Sequence, residues 1–122
     1  VRTFRVDRIE GEVVIGQPQS FVRPADFDPL AVFPSDPKAL GDGVGARARV
    51  LVDAARARFL VDELGADAVV ETRSDGSAVL EVACANLDAF RSWLFGLGVH
   101  AEVLAPPDVR AAVVDWLAGM MR

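Results

Sequence analysis

The sequence has only one cysteine, Cys84, and only one histidine, His100. A single cysteine cannot form an internal disulfide and leaves no partner for a cysteine-rich metal site, so a reducing, cytoplasmic setting is expected. We expect Cys84 in a core strand, because buried free cysteine behaves as a small apolar residue. No cluster of cysteines or carboxylates accompanies His100 at ligand spacing, so we predict neither a metal site nor a cofactor.

Long apolar runs are also missing. The richest one, Phe90 to Val99, is short and is interrupted by Arg91, Ser92 and glycines, whereas a membrane span needs about 20 apolar residues. The first residues carry neither an initiating methionine nor the basic start, apolar stretch and cleavage site of a secretory signal. We therefore expect no membrane association, and we interpret the chain as a piece of a longer protein.

Patterns typical of catalysis are lacking too, and the chain is predicted not to be an enzyme. Ser74 and Ser77 flank an Asp-Gly pair and have no His-Asp arrangement beside them, so turn formation accounts for both. The glycine-rich stretch at 41–45 lacks the Lys-Ser/Thr of a phosphate loop and does not connect a strand to a helix. It is interpreted as a linker.

Positive charge is scarce in the second half of the chain. Through Arg58 there are nine basic and eight acidic residues, whereas from Phe59 onward there are four basic and ten acidic ones. Affinity for duplex DNA comes mainly from clustered lysine and arginine. Duplex binding is therefore expected only through a domain that is not part of this chain.

What the sequence does contain divides into two segments. Residues 2–9 alternate in the manner of a strand, and 12–15 follow after Gly11, which predicts two short strands or one strand with a bulge. Two strands are marginal alone, so they need further sheet partners or a second copy of the chain. Residues 34–44 are rich in Gly, Pro, Asp and Ser, which is typical of a linker between a segment at 1–33 and one at 45–122.

The second segment predicts an α+β fold. Strands are expected at 47–52, 68–73, 78–85 and 99–104, and helices at 54–64, 87–97 and 108–121. Asn86 is placed to cap a helix, and Asp75-Gly76 is typical of a hairpin turn. The order βαββαβα is that of a ferredoxin-like module with an extra C-terminal helix.

Alternation predicts which residues each face of this sheet displays. Those expected to face the helices are Val50, Val52, Leu80, Val82 and Cys84. Those expected on the open face are Arg47, Arg49, Glu71, Arg73 and Glu81, with either His100 and Glu102 or their neighbours beside them. The open face is either an ordinary solvated surface with cross-strand pairs or a dimer or ligand surface.

Two stretches resemble a known family of bacterial regulators. Residues 2–9, RTFRVDRI, resemble the closing strand of WYL domains, which reads approximately R-x-F-R-x-D-R-I. The βαββαβα segment, which includes GVHAEVLAPPDVR at 98–110, resembles the WYL C-terminal extension, called WCX, and is nearest to the proteasome accessory factor B and C type. The Trp-Tyr-Leu signature and the helix-turn-helix that the family carries upstream are not in this chain, so any sensing site in it is partial.

The resemblance implies the C-terminal effector-sensing and dimerisation region of a DNA-binding transcriptional regulator of the DNA-damage type. It implies an Sm-like barrel that ends in the first segment, and a homodimer, strand-swapped or not, or a heterodimer with a paralogue. The effector it implies is single-stranded nucleic acid or a nucleotide-like ligand. The residues carried over as effector-binding candidates are Arg2, Arg5 and Arg8, followed by Arg47 and Arg49.

Two alternatives stay open at this point. Arg5 could pair with Asp7 and serve only the local structure, with Phe4 in a core. The whole chain could instead be a small-molecule-binding regulatory domain of the ACT-like sort, which holds an amino acid between paired sheets. A glycine-rich turn between strand and helix would favour the second reading, and here the first such turn is Asp53-Ala54-Ala55.

Overall fold

The structure, a computed structural model, describes residues 4–32, 35–41, 43 and 45–122. The chain divides into two units, Val1–Ser35 and Asp36–Arg122. The four-stranded sheet and the long helices belong to the second unit.

The strands predicted for residues 2–15 are wrong for the part that the structure describes, residues 4–15. A 3₁₀ turn at Val6–Arg8 is the regular element there, and a short helix, α1, follows at Pro29–Val32. Arg2 lies outside the described residues. A strand needs the hydrogen bonds of a neighbouring strand, and none of the described residues of this unit forms one. The apolar side chains of the alternating pattern, such as Phe4 and Val6, are accordingly exposed.

The second unit confirms the predicted ferredoxin-like α+β fold with an extra C-terminal helix. Its strands are β1 (Arg47–Val52), β2 (Val69–Thr72), β3 (Ala78–Ala83) and β4 (Ala101–Ala105). Its helices are α2 (Ala54–Leu64), α3 (Leu87–Leu97) and α4 (Pro107–Met120). All neighbouring strands are antiparallel, in the order β2-β3-β1-β4. The last strand begins later than predicted, because Gly98–His100 form a 3₁₀ turn.

Local sequence signals explain where these elements begin and end. The Asp53 carboxylate accepts hydrogen bonds from two backbone N–H groups in the first turn of α2, and Asn86 accepts one from the first turn of α3. The backbone N–H groups in the first turn of a helix have no partner within the helix, and these two side chains supply one. Gly65, with φ of 91°, ends α2. Gly76, with φ of 85°, makes the β2–β3 turn, in which an ordinary residue would be strained.

One face of the sheet packs under the helices and forms the core. The predicted helix-facing residues are all buried in a single apolar cluster, which confirms the prediction: Val50, Val52, Leu80, Val82 and Cys84. From the helices, Leu60 and Phe90 complete this cluster at 1% and 0% exposure. Among the described residues of this unit, no helix packs on the other face, which is the one that alternation predicted to be charged.

Part of the predicted linker is packed against α3. The ammonium group of Lys38 lies 3.0 Å from the Asp36 carboxylate and 5.2 Å from the centre of the Trp93 ring. The Lys38 carbonyl accepts a hydrogen bond from the backbone N–H of Asn86, the residue that caps α3. The backbone of Gly41 lies so close to that of Ala85 that an added Cβ would be 2.6 Å from the Ala85 carbonyl oxygen. These contacts fix the approach of the chain to β1.

Candidate functional site

Arg47 and Arg49 lie on the open face of the sheet, at one end of the central strand β1. Their neighbours Ala48 and Val50 are completely buried, so alternation sends both guanidinium groups to the opposite face. Within the described part of the chain, neither arginine makes a hydrogen bond or an ion pair. Arg49 is the cross-strand partner of Glu81, yet the two side chains are not ion-paired. Among the described residues, this arginine pair has no partner that a ligand would have to displace.

The other charges of the open face are engaged. Arg73 donates from Nε to the Glu71 carboxylate at 3.0 Å, and Arg110 donates to the Glu102 carboxylate at 2.8 Å. Glu102 is on the open face because its neighbour Val103 is buried in the core. Apart from these pairs, the acidic residue directly across the strands from the arginine pair is Glu81, opposite Arg49.

Two candidate arginines of the first unit lie together. Phe4, Arg5, Arg8 and Ile9 line a shallow cavity of about 530 Å³. Arg5 forms a two-pronged ion pair with Asp7, with distances of 3.0 Å and 2.5 Å, so its guanidinium is already occupied. Arg8 has no side-chain partner among the described residues, and Phe4 is 77% exposed. Of the two candidate arginines described in this unit, Arg8 is therefore the one whose guanidinium is not ion-paired, and Phe4 lines the same cavity.

A second concave site, which we call the end pocket, lies where β1 ends and β4 begins. Its volume is about 220 Å³, and Leu51 is one of the residues that line it. The polar residues that line it are Asp53, Arg73, Asp75, Ser77, His100 and Glu102. They come from the β1–α2 junction, the β2–β3 hairpin and the start of β4, and antiparallel pairing brings these three segments to one end of the sheet.

Hydrogen bonds hold the acidic groups of the end pocket in place. The Asp53 carboxylate lies 2.6 Å from Nδ1 of His100, and its backbone N–H donates to the His100 carbonyl at 3.0 Å. The hydrogen bond from His100 is the main reason that the pKa of Asp53 is lowered. The Asp75 carboxylate accepts from the hydroxyl and the N–H of Ser77, which lowers the pKa of Asp75. Both carboxylates are therefore charged and oriented at neutral pH.

The end pocket was not predicted from the sequence, where His100 and Asp53 gave separate and ordinary signals. Asp53 precedes a helix and His100 precedes a strand, 47 positions later. A cap residue at a strand-to-helix junction is a common signal for a helix start and says nothing about a distant histidine. The register of β1 against β4 is what joins them, because Val52 pairs with Ala101.

The described residues show no arrangement for metal or nucleophilic chemistry. No three His, Cys, Asp or Glu side chains of the described residues are grouped to hold a metal ion. Ser77 bonds to Asp75 rather than to the histidine. Cys84 is buried in the core, and burial raises the pKa of its thiol, so it is a poor nucleophile.

None of the helices in the described residues has the length and apolar character needed to cross a bilayer.

Comparison with protein families identifies the second unit. The family model of the WCX domain matches residues 45–121, which include β1 and every element after it. A WYL domain is not detected in the chain, and no curated protein and no solved structure matches it. WCX domains are found in WYL-domain transcriptional regulators and are typically non-catalytic. Because the matched residues make up more than half of its length, the chain belongs to the WCX domain family.

Proposed function

We propose that this chain is the effector-sensing and dimerisation region of a bacterial DNA-binding transcriptional regulator, and that its effector is a nucleic acid or a nucleotide-like ligand. The observation that carries the proposal is the arginine pair. Arg47 and Arg49 are exposed, unpaired among the described residues and two residues apart on a central strand, on the face that no helix of the second unit covers. WCX membership supplies the regulator context.

The chemistry of the arginine pair favours an anionic, planar ligand. A guanidinium group binds a phosphate through two parallel hydrogen bonds and also stacks on bases. Arg47 and Arg49 are two residues apart on one strand face, which separates their Cα atoms by about 6.5 to 7 Å. Successive phosphates of a single strand lie at a similar spacing, so one oligonucleotide can contact both side chains.

The first unit adds a second contact region for the same class of ligand. Arg8 and Phe4 lie in one shallow cavity, and an aromatic ring beside a free guanidinium is a combination used in binding single-stranded nucleic acid. Arg2 lies outside the described residues, and Arg5 is held by Asp7. Among the candidates of this unit we therefore rank Arg8 first.

The charge of this chain does not favour binding of duplex DNA. The chain carries a formal net charge of -5, and the acidic residues predominate after Phe59. Duplex binding depends on neutralising many phosphates with clustered cations. We propose that the duplex is bound by another domain of the same regulator, whose orientation the effector changes.

Dimerisation is the second half of the proposed function. The first unit exposes a row of apolar side chains that a folded monomer would ordinarily bury, among them Val13, Val14 and Ile15 at 69%, 87% and 90% exposure. This segment has the alternating composition of a strand and lacks a strand partner among the described residues of its unit. A homodimer that pairs or exchanges these segments, or a heterodimer with a paralogue, would bury them.

The ACT-like alternative lacks one of its expected features. The turn between β1 and α2 is built on Asp53, which caps the helix, and no glycine stands there. The family match is to the WCX domain. We therefore favour the regulator over an amino-acid-binding domain attached to an enzyme.

Fluorescence anisotropy of a labelled, short single-stranded DNA tests the effector half of the proposal. The 122-residue chain is titrated into it at low and moderate salt, together with the double variants Arg47→Ala/Arg49→Ala and Arg5→Ala/Arg8→Ala. Saturable, salt-sensitive binding that the first variant loses supports the proposal, because contacts to phosphate weaken as salt rises.

The control is Arg56→Ala/Arg58→Ala, which removes the same charge from exposed positions on α2. Equal loss in the control would show that only net charge matters and would contradict a site at the arginine pair. Absence of binding by the unaltered chain would remove the nucleic-acid effector from the proposal. Light scattering tests the dimer, and a monodisperse monomer would contradict it.

A further inference from the structure

The end pocket contains groups of both charges whose hydrogen-bonding capacity is only partly used. Arg73 donates from Nε to Glu71, and its two terminal nitrogens have no partner among the described residues. Asp75 uses one carboxylate oxygen for both bonds with Ser77 and keeps the other. The pocket therefore offers free donors and a free anionic acceptor, two residues apart in the hairpin.

His100 adds one more group. Its Nδ1 is taken by Asp53 at 2.6 Å, and Nε2 has no partner among the described residues. In a neutral imidazole whose Nδ1 donates to the Asp53 carboxylate, Nε2 is an acceptor. Both carboxylate oxygens of Asp53 are engaged, Oδ1 by two backbone N–H groups of α2 and Oδ2 by His100. The groups available to a ligand are thus Arg73, Asp75 and His100.

The size and composition of the pocket limit what it can hold. Its volume of about 220 Å³ is below the range of about 300 to 1,000 Å³ for sites that enclose drug-sized ligands. A nucleotide would extend out of it. A metal ion is not favoured, because the described acidic and histidine side chains are not grouped as ligands. Leu51, Val99 and Ala101 give it an apolar side.

We propose that the end pocket binds a small zwitterion, an α-amino acid, whose carboxylate is held by Arg73 and whose ammonium group is held by Asp75 and by Nε2 of His100. The guanidinium group of Arg73 can bind the carboxylate through two hydrogen bonds. Leu51, Val99 and Ala101 contact the side chain, which favours a small apolar one. This site is separate from the arginine pair, and neither proposal depends on the other.

NMR titration of the ¹⁵N-labelled chain with the proteinogenic amino acids, one at a time, tests the proposal. For the strongest binder, the same titration uses the amine that lacks its carboxylate and the acid that lacks its ammonium group. We expect saturable shifts of the backbone amides at 73–77 and 99–102 with the amino acid. We expect binding at least about tenfold weaker with either analogue, because each one leaves a charge-assisted hydrogen bond unmade.

Matched variants locate the binding. Arg73→Gln should weaken it about tenfold to a hundredfold, and Asp75→Asn, which can still accept from Ser77, should weaken it as well. Arg58→Gln removes an arginine from the exposed surface of α2 and should leave the affinity unchanged. Melting temperatures establish that the variants are folded.

Three results would overturn the inference. They are the absence of saturable binding by any amino acid, equal affinity for the amine alone, and affinity that Arg73→Gln does not alter. The second result would mark a site for cations.

Discussion

Replacement of Phe90 by alanine should remove a large part of the stability of the second unit. Phe90 lies in α3, is 0% exposed and packs against Trp93 with ring centres 6.0 Å apart. Truncation of a fully buried phenylalanine destabilises by about 3 to 5 kcal/mol, since both its burial and its volume are lost. A domain of this size is stable by about 5 to 10 kcal/mol. The variant is therefore expected to lose about a third or more of that stability.

Urea unfolding, followed by the fluorescence of Trp93 and Trp116, measures the change in the free energy of unfolding. The matched control is Phe59→Ala, because Phe59 is on α2 and is 63% exposed. We expect the control to change the free energy of unfolding by no more than about 0.5 kcal/mol. A loss below about 1 kcal/mol for Phe90→Ala, or an equal loss for both variants, would refute the assignment of Phe90 to the core.

Two further predictions concern the loss of stability at low pH and the replacement of two glycines. The folded-state pKa values of Asp53 and Asp75 lie below the ordinary 3.8, so the stability that they contribute is complete above that value. That stability is lost as the pH falls through the lowered pKa values. Urea unfolding midpoints measured from pH 5 downward should therefore fall less steeply in the variant Asp53→Asn/Asp75→Asn than in the unaltered chain. Gly96→Ala should raise stability by about 0.5 to 1 kcal/mol, because Gly96 lies in α3 and an added Cβ meets nothing within 4 Å. Gly76→Ala should lower it, because Gly76 has φ of 85° and its Cβ would lie 3.0 Å from that of Ala54; thermal unfolding compares the two.

The second unit could be predicted from the sequence because its signals are local. Asp53 and Asn86 mark helix starts, Asp75-Gly76 marks a turn, and alternation in 47–52 divides the two faces of the sheet. The segment at 4–15 has the same alternation and forms no strand. Alternation states which residues would share a face, but a strand forms only where a hydrogen-bonded neighbour is available, and that depends on the rest of the structure.

For the candidate sites, too, local features could be predicted from the sequence and long-range contacts could not. The exposure of Arg47 and Arg49 follows from their place in an alternating strand, so the sequence predicted it. The pairing of Arg5 with Asp7 was an open alternative at short range, and the structure contains that pair. The end pocket depends on the pairing of β1 with β4 and on the position of the hairpin. Those contacts join residues far apart in sequence, for which no local pattern exists.

The two proposed sites lie toward opposite ends of β1, which makes their relation measurable. β1 runs from Arg47 to Val52, about 17 Å at about 3.3 to 3.4 Å per residue, and the end pocket is beside Leu51 and Asp53. Leu51, which lines the pocket, and Arg49 share the open face two residues apart, with about 6.5 to 7 Å between their Cα atoms, so a ligand in one site is close enough to affect binding in the other. Equilibrium coupling is reciprocal. The factor by which the amino acid changes oligonucleotide affinity must equal the factor by which the oligonucleotide changes amino acid affinity, and unequal factors would show that one titration reports a different binding event.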